Sequence, residues 1–145
     1  MANITIMEAT FATSRRDKAG TNGDVYIGIG GREFNVDSEI DDFEPPPAPP
    51  SPEEYYLYRF GEASTVKFAA RNDPRDPQLL TEELDRYPVY VRFAPQNRDD
   101  HWHLGFVELT VNPGRPEEVK YEALRGNRKQ WLGTSAGLYC HLTKV

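Results

Sequence analysis

The chain is cut into short runs in which apolar and polar residues alternate, and this period of two, repeated between turn signals, restricts it to a β fold. Val25, Ile27 and Ile29 alternate with Tyr26 and Gly28; after Gly30-Gly31 the pattern resumes with Phe34 and Val36 against Glu33 and Asn35. A Gly-Gly pair supplies the positive φ angles of a tight turn, so these residues predict a hairpin. The same reading predicts strands at 4–11, 56–60, 65–70, 89–94, 104–111, 119–124 and 138–142. Eight or nine short strands in 145 residues imply a sandwich or barrel with protected edges, and one domain over 1–145. Trp102, Leu104 and Phe106 share one parity, and Val107, Leu109 and Val111 the other. A bulge or bend is therefore expected near Gly105. The helical exception is 76–86, where Asp76 at the N-cap, Pro77 at the first position and apolar residues at 79, 80 and 84 predict a short helix on a connection.

Charge and cysteine content narrow the function classes. Seventeen basic against 23 acidic residues leave a net charge of −6, and the cationic residues are scattered, with Arg125, Arg128 and Lys129 the densest group. A nucleic-acid backbone is bound by clustered Lys and Arg, so no nucleic acid is expected, and bare anionic membrane is repelled. Cys140 stands alone, which excludes an intrachain disulfide. No apolar run approaches the ~20 residues of a spanning helix, and the N-terminus lacks the pattern of a signal peptide, so a cytoplasmic location is the default expectation. Six of the 12 prolines fall in 45–52. That tract reads as a stiffened loop inserted in the sandwich, and deleting 45–50 is expected to spare the fold.

Three loops are rich in oxygen donors: 20–24 (Gly-Thr-Asn-Gly-Asp), the acidic run Asp37, Glu39, Asp41, Asp42 and Glu44, and the pair Asp99-Asp100. In a sandwich, loops at one end converge. Hard cations such as calcium take six to eight oxygens, which separated loops can supply; composition alone favours reading each cluster as a solvated turn. The spacing does not match the twelve-residue calcium loop of helix-loop-helix proteins. A second constellation is His101, His103 and Glu108, the centre of the cupin transition-metal motif, although the flanking glycine of that motif falls on Pro95. A bend at Gly105 would take Glu108 off the histidines' face. The glycines at 28–31 lack the spacing and the following helix of a phosphate cradle, and nothing resembles a nucleophile elbow. Tyr55, Tyr56 and Tyr58 crowd the residues after the prolines, as a partner-binding strip or as one face of a strand.

These pieces, in order, resemble the PLAT, or lipoxygenase homology, domain: Ala19-Gly20-Thr21-Asn22-Gly23-Asp24-Val25-Tyr26-Ile27, then Gly31-Arg32-Glu33-Phe34 to Asp37-Ser38 and Asp41-Asp42-Phe43-Glu44, then Asp99-Asp100-His101-Trp102-His103-Leu104 into Val107-Glu108-Leu109. Trp131-Leu132-Gly133 and Gly137-Leu138-Tyr139 are similar to the closing segment of bacterial members. The resemblance implies an antiparallel two-sheet sandwich of about eight strands. It also implies a non-catalytic module that brings an attached protein to membrane lipid or to a protein partner, with no small-molecule substrate, and that binds calcium in loops at one end. Carried over, the calcium loops fall on Gly20 and Asn22, on the Ile40 carbonyl with Asp41 and Asp42, and on Asp100. Trp102 matches the aromatic of the family's Asp-Trp pattern; with Tyr55 and Tyr56 it is the expected lipid or partner contact. Many relatives carry Asp directly before that Trp, where this chain has His101, so Asp99 and Asp100 both stand as the third-loop ligand.

Overall fold

The computed structural model describes residues 2–14, 19–38, 43, 55–125 and 128–145. The described residues form ten strands: β1 (Ile6–Thr13), β2 (Asp24–Ile29), β3 (Arg32–Asn35), β4 (Tyr56–Gly61), β5 (Tyr90–Ala94), β6 (Trp102–Val111), β7 (Val119–Ala123), β8 (Gln130–Leu132), β9 (Tyr139–His141) and β10 (Thr143–Lys144). One sheet runs β10-β7-β6-β1-β4, with β8 paired to β6; the other runs β3-β2-β5-β9. Every pairing is antiparallel. The expected two-sheet β-sandwich is the fold.

The predicted hairpin is β2–β3, closed by Gly30 and Gly31 at φ 61° and 77°, with Ile29 opposite Arg32. Alternation places Val25, Ile27 and Ile29 in the core, while Tyr26 and Gly28 face outward beside Arg92 and Tyr90. The Tyr90 ring lies over Gly28, where an added Cβ would come within 2.1 Å of it.

The bulge expected near Gly105 organises the larger sheet. Ala12 pairs with Phe106 but Thr13 pairs with Leu104, so Gly105 is the extra residue. The parity of β6 flips there, and Trp102 and Leu104 before the bulge and Val107, Leu109 and Val111 after it all reach one core. The bulge also splits the far edge of β6 between partners, with β8 along 102–104 and β7 along 107–111. That core is aromatic at the β6 start, where Phe11, Phe43, Phe93 and Trp102 meet with centroids 4.9–6.1 Å apart.

Two expectations need correction. The run 65–70 is not a strand: it forms turns ending in the 3-10 turn Ala69–Arg71. Of its apolar residues Val66 is buried while Phe68 stays out, lying under Lys67 and Arg71. The connection at 76–86 is helical only as a 3-10 turn, Thr81–Arg86, with Leu80 at its N-cap. The reason is competition for backbone groups, because Leu79 O accepts from Ile4 N and Thr81 N donates to Ala2 O, both 2.9 Å. Asp76 is therefore no N-cap, and the Asp76-Pro77 peptide is cis. The run 138–142 contributes β9 to the smaller sheet, and the chain then crosses to add β10 to the larger one. The strand β8 was not predicted. No described helix is long and apolar enough to cross a membrane. The proline tract 45–52 lies outside the described residues.

Candidate functional site

The site lies where β1 ends and β6 begins. In the third loop, Asn97 starts a local turn: Asp99 N donates to Asn97 Oδ1 at 2.9 Å and Asp100 N to Asn97 O at 3.2 Å. The turn points the Asp100 carboxylate back at the first loop. Asp100 Oδ1 accepts from the Thr21 hydroxyl at 2.6 Å, and Oδ2 from Gln96 N at 2.8 Å. Thr21 Oγ1 in turn accepts from Gly23 N at 2.9 Å. Gly23 allows this approach, since a Cβ there would sit 2.7 Å from both Asp100 Oδ2 and Ala94 O. Two of the three oxygen-rich loops thus meet through one carboxylate. Asp100 and Gly20 are half-buried on the cleft described below, whereas Asn22 and Asp99 are exposed.

Ile40, Asp41 and Asp42 lie outside the described residues, as do Glu39 and Glu44. Phe43 is described, and it ties the second loop to the same end. It is buried at φ 61°, its ring 4.9 Å from Trp102 and 5.8 Å from Tyr58. Phe43 O accepts from Thr13 Oγ1 at 2.9 Å, and Thr13 Oγ1 accepts from Trp102 Nε1 at 2.8 Å. One hydroxyl therefore joins the end of β1, the end of the second loop and the start of β6.

Trp102 is fully buried in this arrangement, which corrects its expected role as a lipid contact. An indole N–H needs a partner when it leaves water, and Thr13 supplies one inside the core. Tyr55 is 56% exposed and meets Phe106 edge-on at 6.3 Å. Tyr56 is half-buried with its ring 6.2 Å from Phe43, and Tyr58 is core, so the tyrosines do not form one strip. Leu57, 57% exposed, is the apolar neighbour of Tyr55 on the surface.

The histidine constellation does not assemble. His101 Nδ1 donates to Asp99 O at 3.0 Å, and its ring packs on Gly133. His103 is buried, its Nδ1 2.5 Å from Ser14 Oγ and its ring 4.4 Å from that of Trp131. Glu108 lies beyond the bulge, 3.7 Å from Arg125, about 17 Å of extended strand from His103. Among the described residues no three His, Cys, Asp or Glu side chains are grouped to hold one metal ion.

Beside the loop end is a cleft of about 630 Å³ lined by Gly20, Asp99, Asp100, His101, Trp131, Ser135 and Ala136. Trp131 projects from β8, and the far wall is the tight turn closed by Gly133 N donating to Gly137 O at 2.9 Å. The sequence carried a signal for this wall in Trp131 next to Gly133, but only the pairing of β8 with β6 sets the indole beside Asp99 and Asp100. Cys140 is buried on β9, and burial pushes its thiol up to about 11, so it is protonated and unreactive near neutrality.

No protein-family model matches the chain, and no curated protein matches it. Among solved structures, it is similar to the alpha toxin of Clostridium absonum, with a TM-score of 0.61 and 17% identity over 97% of this chain and 32% of the toxin. It is likewise similar to the alpha-toxin of Clostridium perfringens, with a TM-score of 0.62 and 15% identity over 98% of this chain and 32% of that one. A third is a lipoxygenase variant solved in complex with arachidonate, with a TM-score of 0.50 and 13% identity over 97% of this chain and 16% of that one. The chain thus spans about a third of each toxin and about a sixth of the lipoxygenase. At these identities the likeness is one of fold, a β-sandwich consistent with the PLAT type.

Proposed function

We propose that the protein is a non-catalytic PLAT-type module that contacts a lipid surface through the loop end and binds calcium there. The observation that carries this reading is the hydrogen bond from Thr21 to Asp100 at 2.6 Å, which joins the first and third oxygen-rich loops, with Phe43, next to Asp42 in sequence, anchored by Thr13 at the end of β1. The donors fit calcium in kind: carboxylate, side-chain amide and backbone carbonyl are the hard oxygen ligands that it takes. Asp100 already accepts two hydrogen bonds, which leaves lone pairs on both oxygens for a cation. Asp41, Asp42 and the Ile40 carbonyl would supply the second loop, and Gly20 and Asn22 the first.

A cation at this end would offset acidic residues that otherwise repel an anionic headgroup layer. The non-catalytic reading is supported by the burial of the Ser14–His103 hydrogen bond, a pairing of hydroxyl and imidazole that substrate would have to reach to use. The fold is shared with parts of two toxins and of a lipoxygenase that was solved with a fatty acid, which favours a lipid partner over a soluble substrate.

Thermal melts in calcium and in chelator test the metal. Calcium at ~100 times its dissociation constant should stabilise the fold by about 2.7 kcal/mol. Asp41→Ala with Asp42→Ala should abolish that shift and spare the apo fold; superimposable wild-type melts sink the proposal. Co-sedimentation with vesicles, with and without calcium, tests the lipid contact. If no vesicle composition retains the protein, Tyr55 and Leu57 become the first targets as a protein-partner patch.

A further inference from the structure

The cleft beside Trp131 has walls that calcium would leave unused. Asp99 and Asp100 line it together with Trp131 and His101, and no Lys or Arg is among the described residues lining it. The indole is held in place: its ring stacks at 4.4 Å and 31° on the buried His103, and His101 meets it edge-on at 6.4 Å. His103 is itself fixed, since Nδ1 lies 2.5 Å from Ser14 Oγ and His103 N donates to Ala19 O at 2.9 Å. Asp100 is clamped by Thr21 and Gln96. This is a preorganised wall of ring and negative charge.

A hard dication keeps its shell of oxygen ligands and gains little from an indole. A weakly hydrated organic cation gains more: methyl groups on nitrogen pack on the ring face, the positive charge is attracted by the ring quadrupole, and nearby carboxylates add Coulomb attraction without requiring a hydrogen bond. At about 630 Å³ the cleft is also in the size range of small-ligand sites rather than of single ions.

We propose that this cleft binds a quaternary ammonium group, held against Trp131 and neutralised by Asp99 and Asp100. The group is carried either by a choline-type lipid headgroup or by a free methylated amine. The proposal shares a wall, Asp100, with the calcium reading but does not depend on it; only its vesicle arm rests on the lipid contact.

The test is done on the full chain in chelator, so that its outcome is independent of calcium. Choline is titrated while tryptophan emission is followed, and its uncharged isostere 3,3-dimethylbutan-1-ol is titrated in parallel. Trp102 is buried, so a ligand-dependent change belongs to Trp131. The expected result is saturable binding of choline that the isostere does not match. Trp131→Ala, followed by calorimetry, should weaken it by roughly ten-fold, and Trp131→Phe, which keeps a ring, by less. Asp99→Asn, at an exposed position that leaves the core untouched, should weaken it several-fold and flatten its salt dependence. Equal binding of choline and its isostere, or unchanged affinity in Asp99→Asn and Trp131→Ala, overturns the proposal. Phosphatidylcholine and phosphatidylglycerol vesicles then separate the sources. Selective retention on phosphatidylcholine assigns a lipid headgroup, and choline binding with neither vesicle retained assigns a free amine.

Discussion

Each end of the sandwich has a polar side chain that ties separate segments together, Asn112 at one and Asp100 at the other, and the two differ in what they leave over. Where β1 starts and β6 ends, Asn112 is fully buried at φ 49°. Its Oδ1 accepts from Thr5 N at 3.0 Å and its Nδ2 donates to Asn3 O at 2.9 Å. Where β1 ends and β6 starts, Asp100 accepts from Thr21 and Gln96 and is half-buried beside a cleft. An amide both donates and accepts, so it can saturate a backbone N–H and a backbone C=O and close an end without residual charge. A carboxylate only accepts. It gathers donors and still presents charge and lone pairs, which is what a cation needs. The neutral end is a structural knot, and the charged end is open for binding.

The largest expected effect tests the knot. Asn112→Ala leaves Thr5 N–H and Asn3 C=O without their partner and puts alanine at a left-handed backbone position, costing about 3 kcal/mol in urea denaturation. A loss under ~1 kcal/mol breaks the comparison. Asp100→Asn should cost less, about 1–2 kcal/mol, because one of two accepted bonds is lost at a half-exposed site. It should also remove the calcium-dependent shift while Asn112→Ala keeps it; a calcium response that survives Asp100→Asn places the binding elsewhere.

Smaller effects follow from pH. Burial raises the Cys140 thiol to about 11 from 9.0, so the folded state holds a proton that the unfolded chain releases. Its contribution is complete below pH 9 and is lost as pH rises towards 11, and Cys140→Ala should flatten that part of a stability–pH curve. At the acid end the sign reverses. The Arg75 hydrogen bond holds Asp73, and the Arg92 hydrogen bond holds Glu33, below the usual carboxylate range. The stability they add is present above that range and is lost as they protonate. The smallest effect belongs to the half-exposed pair Arg59–Glu8 at 2.6 Å, whose double-mutant cycle should give about 0.5 kcal/mol.

Much of the fold was legible because alternation in this chain is nearly uninterrupted where strands are long. The β2–β3 hairpin followed from Gly30-Gly31, and the bulge at Gly105 from the change of parity along β6. Short segments were not legible. The three residues of β8 carry no period that separates strand from loop, and 65–70 has strand composition but finds no partner strand. The short helix expected at 76–86 is confined to the 3-10 turn Thr81–Arg86, because the backbone of Leu79 and Thr81 is bonded to Ile4 and Ala2, some 75 residues away in sequence. At the site, the sequence marked Gly20 and Asn22 on one loop and Asp100 on another as oxygen donors. It placed Trp102 at the surface, where the structure buries it, and it gave Trp131 no role.

What the sequence determined by itself was the fold class and the chemistry available in each loop, because a period of two, turn glycines and carboxylate clusters are local properties. What only the tertiary structure decided was which of those groups meet. Thr21 reaches Asp100 across 79 residues, and Trp131 joins the cleft through the pairing of β8 with the first half of β6. Such contacts depend on register and on which edge of a strand is still unpaired. Both are set by packing two sheets over one core, not by any residue's own preference.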